Sequence, residues 1–149
     1  VPIGEFATQI DLLVISVYGI FVVEIKNYSG WIFGNEKSKY WTQVLYTKKN
    51  QFQNPLRQNY KHVKAIAEYL NIETDKIFSV VYFAGEAEFK TDMPPNVLCK
   101  GLSNYIISKK LIKLKESELN YIYDKLIDLE KAKSVNKEKH KALLSEYQK

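Results

Sequence analysis

The sequence predicts an α/β domain, a mixed central β-sheet flanked by helices, and three observations carry that prediction. A dense apolar block fills residues 9–25, a strongly periodic helix follows at residues 55–70, and a continuous apolar run, IFSVVYFAG at residues 77–85, ends in glycine. Paired strands, a helix and then a strand with no polar alternation describe a sheet whose faces are covered by helices. At 149 residues, 46% hydrophobic and 26% charged, the chain is long enough for one domain with a sizeable core.

Each element has a local reason. Residues 9–16 and 19–25 are rich in Ile, Val, Leu and Phe and meet at Val17-Tyr18-Gly19, a short turn in which glycine supplies positive φ. Short strands are expected around residues 30–33 and 40–46, on either side of the polar turn GNEKSK. Asn54 caps the helix and Pro55 takes its first position; Leu56, Val63, Ile66 and Leu70 then repeat at helical spacing up to Asn71. A short strand at residues 97–99, a small helix from Leu102 and a helix from Ser117 to about residue 131 follow, the last with an apolar stripe of Leu119, Ile122, Leu126 and Leu129. Residues 132–149 are polar and Lys-rich, and are expected to form a weakly amphipathic helix or a frayed end.

Composition narrows the setting. A single cysteine, Cys99, forms no intrachain disulfide, which fits a reducing compartment, most simply the cytoplasm. The longest near-apolar run, residues 10–23, contains Asp11 and falls short of the roughly 20 residues that a bilayer requires, so no membrane span is expected. Of the net charge of +5, residues 109–149 carry +4 and residues 1–108 only +1. That excess suits a polyanionic partner, and equally a solvated helix face. The chain opens VPIGEF, without an initiator methionine or a charged leader, as an excerpt from within a domain does. Oligomeric state leaves no signal in the sequence.

The charges inside the apolar block raise the functional question. With Val17 and Tyr18 as a two-residue loop, Asp11 falls opposite Glu24, and strand alternation puts Glu24 and Lys26 on one face with Ile25 turned away. Opposed carboxylates destabilise a strand pair, more so when partly buried, and something has to compensate. A divalent metal with oxygen ligands is one compensation; Lys26 pairing with one acid while the other is protonated is another. An acid, one residue and a lysine at a strand end also recurs by chance, so VEIK alone is a weak motif.

The helix adds a second surface. Gln58, His62, Ala65 and Tyr69 form a stripe distinct from the apolar Leu56/Val63/Ile66/Leu70 stripe and from the charged Arg57/Lys61/Lys64/Glu68 stripe. Gln58 and His62 then either face a metal or phosphate or serve as polar groups at the edge of the core. Trp31, Trp41 and the 11 tyrosines offer stacking surfaces for bases, although aromatics in short alternating strands ordinarily pack in the core.

Taken together in order, TQIDLLVIS, YGIFVVEIKNYSGWIFG, YWTQ and NPLRQNYKHV resemble the nuclease-related domain (NERD) family, a branch of the PD-(D/E)XK nuclease superfamily. The resemblance covers about residues 1–112. It implies a restriction-endonuclease-like fold with a C-terminal helical, Lys-rich extension over residues 113–149. Asp11 would be the acid of the PD motif, Glu24 and Lys26 the (D/E)XK pair, and Gln58 a polar residue of the following helix facing the site, with His62 a substrate-binding candidate. Asp11, Glu24 and the backbone carbonyl of Ile25 would hold Mg²⁺ or Mn²⁺, and the implied activity is phosphodiester hydrolysis, with DNA as the substrate. Two departures stand out: Leu12 occupies a position where many relatives have histidine, and the glutamate-bearing N-terminal helix usual before the first strand is missing, for which Glu5 is no obvious substitute. The alternatives are an inactive nucleic-acid-binding or regulatory module, or a protein-interaction domain, on the same fold.

Overall fold

The computed structural model describes residues 10–129. The expected termini, with Glu5 at one end and residues 130–149 at the other, lie outside the described residues. Strands β1 (Leu12–Ser16) and β2 (Gly19–Lys26) form the expected antiparallel hairpin, with Ser16 paired to Gly19 and Leu12 to Val23. Val17 and Tyr18 are therefore the two-residue loop. Gly19 sits at φ 137°, where an added Cβ would lie 2.9 Å from the Lys76 carbonyl oxygen, so the turn excludes any side chain there.

The chain continues through β3 (Gly30–Phe33), β4 (Tyr40–Leu45), β5 (Lys48–Gln53), helix α1 (Pro55–Leu70), a 3-10 turn at Thr74–Lys76, β6 (Ile77–Phe83), β7 (Ala87–Phe89), β8 (Val97–Leu98) and helix α2 (Leu102–Ile107). Residues 116–129 are helical as well, α3, with the expected end at about residue 131 falling outside the described residues. The ends of α1 are as expected: Asn54 Oδ1 accepts the Leu56 N–H at 2.9 Å, and Asn71 closes the helix in the left-handed conformation. Asn54 also donates through Nδ2 to the Ser38 carbonyl at 2.7 Å, tying the GNEKSK turn to the helix start.

The fold is mixed α/β, consistent with a restriction-endonuclease-like arrangement, but where one central sheet is expected there are two of four strands each. Their orders are β1-β2-β6-β8 and β5-β4-β3-β7. A parallel pair in each sheet keeps one register: β2 pairs with β6 and β3 with β7, both with the offset of 57 residues that separates Ser29 from Glu86. Between the pairs, Ala84 N donates to the Lys26 carbonyl and Gly30 N to the Glu86 carbonyl, at 2.8 and 2.9 Å. Gly85 permits that close passage, because a Cβ there would lie 2.4 Å from the Tyr28 carbonyl oxygen. Lys26 is thus the last residue before the ladder is interrupted.

Burial explains the layers. Ile20 and Val22 on one face of β2 pack with Val63, Ile66 and Leu70 of α1 and with Leu114 and Ile122, so the segment after residue 112 contributes to the first core. Leu119 and Leu126 of the predicted α3 stripe lie against the same core. Phe21 and Val23 on the other face meet Leu102, Tyr105 and Ile106 of α2. The first sheet is covered on both sides. The second sheet buries only the face carrying Ile32, Trp41 and Phe89, which packs on Phe83 through a cluster of aromatic rings. Strands β5 and β7 are absent from the sequence reading, and β5, KKNQFQ, is exposed except at Phe52.

Candidate active site

Glu24 and Lys26 project from the α1 face of β2 at the point where the apolar layer of Ile20 and Val22 ends. Their separation by two positions along an extended strand makes them same-side neighbours. Lys26 Nζ lies 3.5 Å from Glu24 Oε1, and His62 Nε2 of α1 lies 3.5 Å from Glu24 Oε2. Glu24 is only 8% exposed. Lys26 Nζ also stands 5.9 Å from the centroid of the Tyr28 ring, so its charge is flanked by the carboxylate and an aromatic face.

Asp11 comes to the same place from the hairpin. The pairing of Leu12 with Val23 carries Asp11 to the level of Glu24, one position before β1 begins. Its Oδ2 accepts the Ile25 N–H at 2.8 Å, so the side chain takes the part of a strand carbonyl and continues the hairpin by one hydrogen bond. The two acids are near enough to feel one another. Burial is the largest influence on Glu24 and raises its carboxyl pKa above the ordinary value; the Lys26 charge opposes this, Asp11 adds to it and His62 opposes it. Desolvation prevails over the neighbouring cations.

Helix α1 closes the site from above. Asn59, fully buried, donates from Nδ2 to the Val22 carbonyl at 2.8 Å, to Ser79 Oγ at 2.9 Å and to the Val80 carbonyl at 3.2 Å. That amide spans β2 and β6 and fixes the helix on the sheet, and His62, three residues on, therefore meets Glu24. Gln58 lies one turn before His62; its Nε2 donates to Gln53 Oε1 at 3.3 Å. Asp11, Glu24, Lys26 and His62 are thus brought together, while Gln58 hydrogen-bonds to Gln53 of β5. Asn59 went unnoticed in the sequence, although a poor helix former inside a strong helix is a sign that its amide has a tertiary task.

Four buried side-chain atoms lack a hydrogen-bond partner among the described residues: Glu24 Oε2, Gln58 Oε1, Asn59 Oδ1 and His62 Nδ1. Glu24 and His62 face one another here, and Gln58 and Asn59 precede His62 on α1. Buried polar atoms are nearly always satisfied, and a cluster of exceptions marks a place that accepts a ligand, ion or water. The donor set fits a small hard cation: two carboxylates at one strand end, one with an orphaned oxygen, leave room for the retained waters that Mg²⁺ prefers. No group of three or more His, Cys, Asp or Glu side chains suited to a metal occurs among the described residues.

A 59-residue stretch is 63% identical to an uncharacterised protein of Bacillus anthracis, covering 40% of this chain and 28% of that protein, so the match spans little more than a quarter of the relative's length. No solved structure matches the chain. Among the described residues no helix is long and apolar enough to cross a membrane. The family model described as the nuclease-related domain, NERD, matches residues 1–84 and so takes in Asp11, Glu24, Lys26, Gln58 and His62. Spanning more than half of the sequence, that match establishes that the chain belongs to the nuclease-related domain family.

Proposed function

We propose that this domain is a Mg²⁺- or Mn²⁺-dependent nuclease that hydrolyses phosphodiester bonds in DNA, in a reducing, cytoplasmic setting that suits its single cysteine. The observation that carries the reading is the Glu24–Lys26 pair at 3.5 Å on one face of β2, with Asp11 held at the same strand end. The C-terminal ends of parallel strands are where open α/β sheets place their ligands, and β2 ends at this pair.

Asp11 and Glu24, with the Ile25 carbonyl, would hold the cation, which when bound supplies Lewis acidity at a phosphate oxygen and acidifies water. The protein's own groups do the rest. Water adds to phosphorus while the bond to the leaving sugar oxygen breaks, and negative charge grows on the phosphoryl oxygens. Lys26, already oriented by Glu24 and the Tyr28 ring, offsets that growing charge. His62 holds Glu24 from the helix side and limits the rotamers of its carboxylate. Gln58 Oε1, buried and unpartnered, accepts a hydrogen bond from a water or from the substrate.

A second reading has its own support. Lys26 Nζ and His62 Nε2 each approach a Glu24 oxygen to 3.5 Å and Asp11 caps a main-chain amide, so the same groups also serve as an internally compensated device in an inactive binding or interaction module. Incubation of duplex and single-stranded DNA with the wild type and Glu24→Gln, with and without Mg²⁺ or Mn²⁺, separates the two. Metal-dependent cleavage by the wild type alone supports the nuclease. Absence of cleavage in both, or equal cleavage by both, removes it.

A further inference from the structure

The second sheet has a face that the site does not use. Alternation along β3 and β4 sends Ile32 and Trp41 inward and leaves Trp31, Phe33, Tyr40, Thr42 and Val44 on the outer side. Trp31 is 48% exposed and Tyr40 53%, in contrast to Trp41 at 1%. Trp31 pairs with Val44, and Phe33 with Thr42; Lys49 and Gln51 of β5 pair in turn with Val44 and Thr42. Together they line a groove of about 650 Å³.

We infer that this outer face binds single-stranded nucleic acid, with bases stacked on Trp31 and Phe33 and the backbone met by Lys49. The lining has what sequence-tolerant strand binding needs: flat aromatic surface for bases, an amide and a hydroxyl for their edges, and a cation for phosphate. None of the groove-lining residues is acidic. Glu88, paired with Trp31 across β7, is the acid on this face, and Lys90 Nζ neutralises it at 2.9 Å. Lys90 Nζ also lies 4.8 Å from the Trp31 ring centroid, and Lys39 Nζ 5.5 Å from that of Tyr40. An exposed cation–π contact is weaker than base stacking, so an arriving base displaces the Lys90 ammonium from the ring and leaves it paired with Glu88.

Base pairing decides between one strand and two. In a duplex the π-faces are already stacked on one another, and only unpaired bases can lie on an aromatic platform. Trp31 follows Lys26 by five positions, so its Cα lies at most about 18 Å away along the chain. A strand on the platform therefore has a short path to the Glu24–Lys26 pair. That continuation rests on the nuclease reading; the binding itself does not.

The test is a fluorescence and anisotropy titration with a 12-mer of deoxythymidine in EDTA, on the Glu24→Gln background, so that cleavage plays no part. Binding should quench exposed indole emission. Trp31→Ala should weaken affinity about tenfold, as the loss of one stacked base does, and Trp31→Phe should restore affinity without the quenching. Lys49→Gln should lower the salt dependence by about one phosphate contact. A duplex of the same length should bind more weakly. Trp31→Ala binding as tightly as the unsubstituted protein, or a duplex bound as tightly as the single strand, overturns the inference. So does a sedimentation experiment showing self-association that Trp31→Ala abolishes with no oligonucleotide binding, because the face would then belong to a second copy of the chain. An unchanged melting temperature in Trp31→Ala shows that the variant is folded.

Discussion

The first sheet admits charge into a covered interior, whereas the second keeps its charge outside and leaves one face open. In the first, Glu24 is 8% exposed and survives there through Lys26, His62 and the nearby Ile25 amide held by Asp11. In the second, β5 contributes Lys48, Lys49, Asn50 and Gln51, all exposed, and is held by its ladder with β4 more than by burial. A parallel pair in each sheet keeps the same 57-residue offset, and the contrast between them follows what covers each. Chemistry on phosphate needs the first environment, where desolvation strengthens each charge; holding a long polymer needs the second.

The largest expected effects lie in the first sheet. If Asp11 and Glu24 hold a cation, Mg²⁺ or Mn²⁺ should raise the melting temperature of the wild type, and Glu24→Gln should abolish both that rise and metal-dependent cleavage. An equal rise in both proteins, measured by differential scanning fluorimetry, would remove the metal assignment and leave the fold untouched. Lys26→Ala comes next. If Lys26 serves the transition state, turnover should fall by about a hundredfold or more with DNA affinity little changed. If it only balances Asp11 and Glu24, the variant should instead lose about 3 kcal/mol of stability, because an unpaired buried charge remains. Chemical denaturation alongside single-turnover kinetics distinguishes them, and full cleavage by Lys26→Ala sinks the catalytic role.

Asn59→Ala removes a side-chain donor from two main-chain carbonyls and Ser79 Oγ inside the first sheet, and should cost about 2 kcal/mol in urea denaturation. Gln51→Ala on the outer face of the second sheet should stay within about 0.5 kcal/mol of wild type. Similar costs for the two would break the contrast between the sheets.

Acid sharpens it further. The folded-state pKa of Glu24 lies above its unfolded value, so as pH falls from neutrality the folded protein takes up this proton first. The Glu24 contribution to stability should therefore increase as pH falls through the raised pKa and level off below the ordinary carboxylate value. The difference in unfolding free energy between wild type and Glu24→Gln, followed against pH without metal, should show this slope; a flat difference would mean that the carboxyl is not desolvated. The smallest effect is at the β4–β5 turn. Tyr46 is 92% exposed at φ 56°, and Tyr46→Asn, which tolerates that conformation better, should raise stability by about 0.5 kcal/mol.

The legible parts of the molecule were those where one local rule decides. A two-residue loop at Val17–Tyr18 fixes the pairing of the whole hairpin and with it the meeting of Asp11 and Glu24. Asn54, Pro55 and Asn71 bound α1 through their own conformations. Strand β5 was hidden because KKNQFQ has a single core-facing apolar residue, and β7 because three residues carry no periodicity. The division into two sheets depends on Gly85 passing the Tyr28 carbonyl, a contact between segments far apart in sequence. Of the site, Glu24 and Lys26 follow from strand alternation, but the approach of His62 to Glu24 depends on Asn59 anchoring α1, and no spacing rule reports that.

Asp11 has two claims on it. Its carboxylate accepts the Ile25 amide proton where the neighbouring strand has run out, and the same carboxylate is the group that a cation would draw away. Ile25 is otherwise an exposed residue at the end of β2. Its deuterium uptake is thus set by a side chain instead of a strand, slow while Asp11 stays docked and fast once it leaves. One backbone amide becomes a gauge of where Asp11 is, readable by exchange without substrate, turnover or an attached reporter, and it responds when a competing charge draws that carboxylate away.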